Sequence, residues 1–217
     1  YDPARAVYDT RWMDFGTSCE RCHGPGRAHA DSPAAAMVVA SRLPPERATA
    51  VCAQCHSLRD VSAAGFAAGA DYFDHFLPVL EYGQKEGPDP PYWPDGRPRR
   101  FSNDAIGLWQ SACFVKGGPT CTTCHLDPHL PDVDKNPQLA PSDNKLCLSC
   151  HAPIGARLQA HTRHRPESAG SACVECHMPK TVMALKATMR DHTMSLPVPE
   201  NTVAHGIPNA CNECHTD

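Results

Sequence analysis

The sequence predicts a mainly irregular fold with short α-helices and little or no β-sheet. Only 41% of the 217 residues are hydrophobic and 6% are aromatic, so the chain has little apolar material for a conventional core. Its 22 prolines interrupt helices and strands, and no stretch sustains the alternation of apolar and polar residues that is typical of a strand. The 13 cysteines and 13 histidines far exceed ordinary usage, which indicates that bound groups fill part of the interior.

The charge and hydropathy patterns argue against a nucleic-acid partner and against a transmembrane segment. The formal net charge is -4 and no block of basic residues is present, so we expect no nucleic-acid partner. No apolar run approaches the roughly 18 to 20 residues of a membrane helix, so we expect no transmembrane segment.

Twelve of the 13 cysteines form six Cys-x-x-Cys pairs, and a histidine directly follows each pair. The six motifs are Cys19, Cys22 and His23; Cys52, Cys55 and His56; Cys121, Cys124 and His125; Cys147, Cys150 and His151; Cys173, Cys176 and His177; and Cys211, Cys214 and His215. This is the attachment motif of c-type haem. Two thiols at this spacing bind the two vinyl groups of one porphyrin, and the histidine then lies under the iron. We therefore predict six covalently bound haem c groups, with the motif histidines as proximal iron ligands.

Zinc ribbons, a disulfide framework and thioredoxin-like redox pairs are the competing interpretations of paired cysteines. None of them requires a histidine after every pair, whereas haem attachment does. Because 217 residues are too few to enclose six haems in separate pockets, the haems must pack against one another. The sequence thus predicts a haem-stacked multihaem cytochrome c.

The spacing of the motifs predicts two parts. The longest interval between motifs separates the second from the third and contains a proline-rich stretch with several glycines, which is typical of an irregular crossing segment. We expect a two-haem part over residues 1–77, a crossing segment over 78–104 and a four-haem part over 105–217. A single continuous haem-packed domain is the alternative.

Short helices are predicted to carry the motifs. Pro45 fits the first position of a helix that runs into the second motif. Ser142 fits the N-cap of a helix that leads into the fourth motif. Residues 208–210 favour a last short helix that carries Cys211 to His215.

Seven histidines lie outside the motifs: His29, His75, His129, His161, His164, His192 and His205. Seven candidates for six distal positions predict iron with two histidine ligands, which is low-spin, low in potential and suited to electron transfer. His161 and His164 lie three residues apart on one turn, so we expect one of them to be spare, and we prefer His164 as the ligand. The predicted distal ligands are therefore His29, His75, His129, His164, His192 and His205.

Chain reach restricts His129 further. It follows His125 by four residues, which span at most about 14 Å. That length cannot pass around the porphyrin edge to the other face of the same haem. If His129 is a ligand, it serves a neighbouring haem.

Two kinds of sulfur leave alternatives open. Met178, Met183, Met189 and Met194 lie near the fifth motif, and an axial methionine would raise the potential of that haem, although packing is the commoner role of methionine. Cys113 is the one cysteine outside the motifs. It is an inert buried thiol, a reactive or intermolecular thiol, or an unusual iron ligand.

Several stretches resemble the multihaem cytochromes that often carry tetratricopeptide repeats. They are residues 19–26 with His29, residues 121–125 with Pro128 and His129, and residues 173–179, 190–192 and 206–215. The resemblance covers nearly the whole chain and implies that His29, His129, His192 and His205 are distal ligands. Its wider kin include electron carriers of ammonia-oxidising and nitrite-reducing pathways.

The resemblance also implies a further haem motif upstream and a helical-repeat tail downstream, so we expect a fragment or a minimal version of such a protein. A missing upstream haem would leave one distal histidine unused. That histidine could bind a haem of the next subunit, as in similar cytochrome filaments.

The function expected from these residues is transfer of single electrons along closely packed haems, with no catalytic residue. We expect redox partner proteins or a terminal acceptor, with a homopolymer joined by an inter-subunit histidine ligand as one form of the assembly. The alternative is a reductase of a small nitrogen or sulfur oxyanion with one open haem, although the chain has no Cys-x-x-Cys-Lys motif. Since haem is attached after export, we expect a periplasmic or extracellular location.

Overall fold

The structure is a computed structural model that describes residues 2–8, 16–79, 90–100, 103–126, 129, 144–184 and 187–215. Eleven α-helices lie in these ranges, and the longest, α3, has nine residues. They are α1 Cys19–His23, α2 Arg27–Asp31, α3 Pro45–Ala53, α4 Asp104–Gln110, α5 Ala112–Gly117, α6 Cys121–Cys124, α7 Lys145–Leu148, α8 Ala152–Gly155, α9 Leu158–Thr162, α10 Cys173–His177 and α11 Glu200–His205. Three short 3-10 helices cover Ala40–Arg42, Ala169–Ser171 and Ala210–Glu213.

The described residues contain two small antiparallel sheets of two strands each. Strand β1 (Arg59–Val61) pairs with β2 (Phe76–Pro78), and β3 (Val182–Ala184) pairs with β4 (Ala187–Met189). All four strands are three residues long. The prediction of a mainly irregular fold with short helices and little sheet is therefore confirmed.

Two of the three predicted helix starts can be compared with the structure. Pro45 is the first residue of α3, as its fixed φ and missing N–H favour. Asn209 caps the last short helix, since its side-chain oxygen accepts hydrogen bonds from the backbone N–H groups of Cys211 at 2.9 Å and Asn212 at 3.3 Å. Ser142 lies outside the described residues, and α7 begins at Lys145.

One hydrophobic cluster packs α3 against α4, the segment before β2 and the first residue of β2. Its buried members are Ala50, Ala53, Tyr72, Phe76 and Ala105. Because three of these five side chains are alanines, the cluster is small for a chain of this length. It also combines residues from before 78 with a residue after 104, the bounds predicted for the crossing segment. The division into two parts remains a prediction.

Several large apolar side chains of the described residues are exposed, for example Val203 at 92% and Leu196 at 73% exposure. None of the helices in the described ranges has the length and apolar character that crossing a bilayer requires.

Candidate metal centres

Each Cys-x-x-Cys-His motif folds into about one helical turn. In four motifs the backbone N–H of the histidine donates to the carbonyl of the first cysteine at 2.8–2.9 Å: His56, His125, His151 and His215. Residues at positions i, i+3 and i+4 of a helix share one face. Both thiols and the imidazole of a motif are thus directed to the same side, which is the arrangement that a covalently attached haem requires.

Four motif histidines face a histidine from outside the motifs. The ring centroids are 6.1 Å apart for His56 and His129, 6.2 Å for His125 and His192, 6.2 Å for His177 and His161, and 6.0 Å for His215 and His164. An imidazole nitrogen lies about 1.1 Å from its ring centroid and a metal–nitrogen bond is about 2 Å long, so two axial imidazoles on one metal have centroids about 6.2 Å apart. The centroid distances of all four pairs agree with this value.

Hydrogen bonds determine which imidazole nitrogen keeps a free lone pair. The Nδ1 atoms of His164, His177 and His192 lie 2.7, 3.0 and 3.1 Å from the backbone carbonyl oxygens of Thr162, Ser195 and Arg190. A carbonyl oxygen only accepts, so Nδ1 carries the hydrogen and the lone pair is left on Nε2. This is the usual outer-shell arrangement of a metal-binding histidine.

The same Nδ1 pattern occurs at histidines that face no second imidazole. His23, His29 and His75 donate from Nδ1 to the carbonyls of Val38, Ala35 and Ala63 at 2.7, 3.0 and 3.1 Å. All thirteen histidines lie in the described residues. Among them, no imidazole pairs at the distance of the four pairs with His23, His29, His75, His151 or His205.

The structure places His161 and His164 each opposite a motif histidine. The sequence predicts that only one of the two is a distal ligand, with His164 as the preferred one. The turn between them explains this geometry. Arg163 ends α9 with φ 62° and ψ 13°, in the left-handed region, so the chain reverses between the two histidines. His161 then faces His177 and His164 faces His215. Two histidines that are only three residues apart therefore pair with the histidines of two different motifs.

His129 faces the histidine of another motif, as the reach argument predicts. Its ring lies opposite His56 of the second motif, although His129 follows the third motif in the chain. His192 similarly follows the fifth motif and faces His125 of the third.

Neighbouring motifs contact one another through their cysteines. The thiol of Cys121, in the third motif, lowers the pKa of Cys52 in the second motif to about 7, and the thiol of Cys52 raises the pKa of Cys121. Burial raises the pKa of Cys147 in the fourth motif, as does the nearby thiol of Cys173 in the fifth.

Other contacts connect the remaining pairs of motifs that are consecutive in the sequence. Helix α1 of the first motif contacts α3, which carries Cys52 of the second. Burial raises the pKa of Cys124, and the thiols of Cys113, Cys147 and Cys150 contribute to the rise, so the third and fourth motifs are neighbours. Helix α10 of the fifth motif contacts the 3-10 helix of the sixth. The motifs therefore follow one another in space as they do in sequence.

Asp104 is a site residue that the sequence does not reveal. Its carboxylate lies 3.2 Å from Nδ1 of His56 and 3.3 Å from Nδ1 of His192. The hydrogen bond from His56 raises the pKa of that imidazole. No local signal could have predicted these contacts, because Asp104 is distant in sequence from both histidines.

Cys113 is half-buried, and burial raises the pKa of its thiol, as do the nearby Cys147 and Cys150. The thiol is therefore protonated at neutral pH, which favours an inert residue over a reactive one. All thirteen cysteines lie in the described residues and none forms a disulfide. Within the described ranges, no three His, Cys, Asp or Glu side chains converge as the ligands of a zinc site do.

Two comparisons with known proteins bear on these motifs. A family model described as the doubled CXXCH motif matches residues 114–156, which contain the third and fourth motifs, and indicates covalently bound haem c. No curated protein matches the chain.

A solved structure has a similar fold. The crystal structure of outer cell wall cytochrome OcwA matches with a TM-score of 0.69 and 23% sequence identity, over 95% of this chain and 55% of that chain. The chain thus spans about half the length of the solved cytochrome. The doubled motif and the shared fold lead to one conclusion: this chain folds as a multihaem c-type cytochrome.

Proposed function

We propose that the chain attaches six haems c, one at each Cys-x-x-Cys-His motif, and passes single electrons along them in the order of the motifs. The observation that carries the proposal is the set of four facing imidazole pairs with ring centroids 6.0–6.2 Å apart. Two imidazoles on one iron leave no open position for a substrate, so these four centres suit electron transfer and not catalysis.

The crossed pairing of the histidines supports rapid electron transfer between neighbours. His125 is the proximal histidine of the third motif, and His129, four residues later, faces His56 of the second. His161 and His164 likewise connect the fifth and sixth centres through one turn. Each short peptide keeps two centres close together. Bound haem supplies a one-electron couple between ferric and ferrous iron, and the residues fix the spacing of these couples.

Three histidines remain for two centres. His23 and His151 have no facing imidazole, and His29, His75 and His205 are the remaining candidates for distal ligands. One histidine is therefore spare in this arrangement. We propose that it binds a haem of a second copy of the chain in a homopolymer, or that the chain instead delivers electrons to a redox partner protein or a terminal acceptor.

A second candidate function is supported by His151. This motif histidine is exposed and faces no second imidazole among the thirteen described histidines. An iron with one protein ligand would leave a position for a small nitrogen or sulfur oxyanion, and the chain would then be a reductase. Electron transfer is the better supported function, because four of the six motifs have a facing imidazole.

The location is also a proposal. Covalent attachment of haem c follows export, and the similar solved structure is named an outer cell wall cytochrome. We therefore propose a periplasmic or extracellular location.

Spectroscopy of the oxidised holoprotein tests the proposal, together with a haem count by mass spectrometry and a coulometric titration. We expect six haems and six electrons per chain. Electron paramagnetic resonance and near-infrared magnetic circular dichroism should show bis-histidine signals for at least four haems. Fewer than six haems, or high-spin signals from most of them, would contradict it. One high-spin signal that shifts when nitrite is added would favour the reductase.

A further inference from the structure

The carboxylate of Asp104 lies between ligands of two different centres. Its Oδ2 accepts a hydrogen bond from Nδ1 of His56 at 3.2 Å, and its Oδ1 lies 3.3 Å from Nδ1 of His192. His56 is the proximal histidine of the second motif, whereas His192 faces His125 of the third. The two oxygens of one side chain thus contact imidazoles of neighbouring irons.

The surrounding structure holds this carboxylate firmly. Asp104 is the first residue of α4, and its side chain is only 18% exposed. The preceding residue, Asn103, is buried and accepts a hydrogen bond from the backbone N–H of Leu58 at 2.6 Å, just after the second motif. The N–H of Ala105 donates to the carbonyl of His56 at 3.2 Å. Hydrogen bonds of the residues on both sides of Asp104 therefore fix α4 to the second motif.

Helix α4 is also fixed against the other histidine. A Cβ atom at Gly107 would lie 3.3 Å from the backbone and Cβ of His192, so only glycine allows this approach without a shift. The Nδ1–H of His192 donates to the carbonyl of Arg190 at 3.1 Å, and Oδ1 of Asp104 lies 3.3 Å from the same nitrogen. The first two turns of α4 thus hold both imidazoles at fixed distances from one charge.

A carboxylate that accepts a hydrogen bond from an axial histidine makes the ligand more basic. A more basic ligand and a nearby negative charge both favour ferric over ferrous iron, so the reduction potential falls. Asp104 contacts a ligand of each of two irons, so it acts on both potentials in the same direction.

We infer that Asp104 is a positioning residue shared by the second and third haem centres, which orients one axial imidazole of each and lowers both reduction potentials. This inference rests on the proposed function, since it requires iron between His56 and His129 and between His125 and His192. Because the shared carboxylate lowers both potentials, it shifts two adjacent centres in the same direction.

The test is the holoprotein variant Asp104→Asn, which keeps the size of the side chain and removes its charge. We expect the equilibrium constant for reduction to rise about tenfold at both centres, equal to about 59 mV for a one-electron couple. An NMR-monitored redox titration measures each haem separately through its shifted methyl resonances. The other four haems should shift much less.

Two further variants serve as controls. Asp60→Asn removes the same charge from an exposed position on β1 and should leave the second and third potentials close to those of the wild type. Asp104→Glu keeps the charge and should restore both potentials in part. If Asp104→Asn fails to fold, Asp104→Glu is measured alone, and unequal shifts confined to the second and third haems support the shared contact.

The outcomes separate this inference from the proposed function. A wild-type protein without bis-histidine signals from the second and third haems would overturn the proposed function and this inference with it. Normal bis-histidine signals with a shift at only one haem in Asp104→Asn, or with shifts equal to those of Asp60→Asn, would overturn this inference alone.

Discussion

Gly170 lies directly against the ring of His164, and this contact tests the sixth centre. A Cβ atom at Gly170 would lie 2.6 Å from Cγ of His164, which is too close for any side chain. In Gly170→Ala the imidazole must therefore move away from its position opposite His215. We predict that one haem changes from low-spin to high-spin, as seen by electron paramagnetic resonance.

A second glycine provides the control for this prediction. Gly117→Ala places its Cβ 3.7 Å from Pro119, an ordinary contact, and should leave all spin states unchanged. A low-spin spectrum in Gly170→Ala would mean that His164 is not the ligand of the sixth centre.

His161 and His164 each have a motif histidine opposite, and this arrangement predicts two separate effects. We expect His161→Ala to make the haem of the fifth motif high-spin, and His164→Ala to make that of the sixth motif high-spin, because each variant removes one axial ligand. Magnetic circular dichroism of both variants measures this change. The exposed Gln159→Ala on α9 is the control. A variant at either histidine without a high-spin signal would identify that residue as the spare one.

At the scale of elements, contacts of Arg190 and Asp191 hold the short segment of residues 190–192 in place. Arg190 donates to the carbonyls of Val174 and Met178 at 3.1 and 3.0 Å and so caps the end of α10. Asp191 is fully buried and pairs with Arg97 at 3.5 Å. These two anchors hold His192 opposite the third motif.

Two carboxylates pair with Arg97, and they allow the contributions of a buried and a more exposed ion pair to stability to be compared. Asp95 lies closer, at 2.8 Å, but is 23% exposed, whereas Asp191 has no exposure. Removing one partner of a buried pair leaves an uncompensated charge and costs about 3 kcal/mol, while a pair near the surface contributes about 1 kcal/mol or less. We predict that Asp191→Asn lowers the free energy of unfolding more than Asp95→Asn, as measured by denaturant titration of the holoprotein. Equal losses would contradict a structural role for the buried pair.

At the scale of the whole molecule, the sequence predicts the haem attachment motifs better than it predicts which histidines lie opposite one another. The six motifs, the α3 start at Pro45 and the irregular fold follow from local spacing and turn chemistry. The reach of four residues also directs His129 to a neighbouring centre. The pairing of His192 with His125 and the position of Asp104 depend on contacts between distant residues, and no local pattern encodes them. The spacing of His161 and His164 predicts that they share one turn and that one of them is spare, whereas Arg163 reverses the chain between them.

The small number of buried apolar side chains predicts that folding depends on bound haem. Eleven apolar side chains are buried among the described residues, and four of them are alanines, so their burial does not offset the conformational entropy of the chain. We predict that a chain with all twelve motif cysteines replaced by alanine shows no cooperative thermal unfolding and little dispersion in its amide NMR spectrum. The holoprotein with Cys113→Ser is the control and should unfold cooperatively, because Cys113 attaches no haem. A cooperative transition in the haem-free chain would mean that the protein core alone determines the fold.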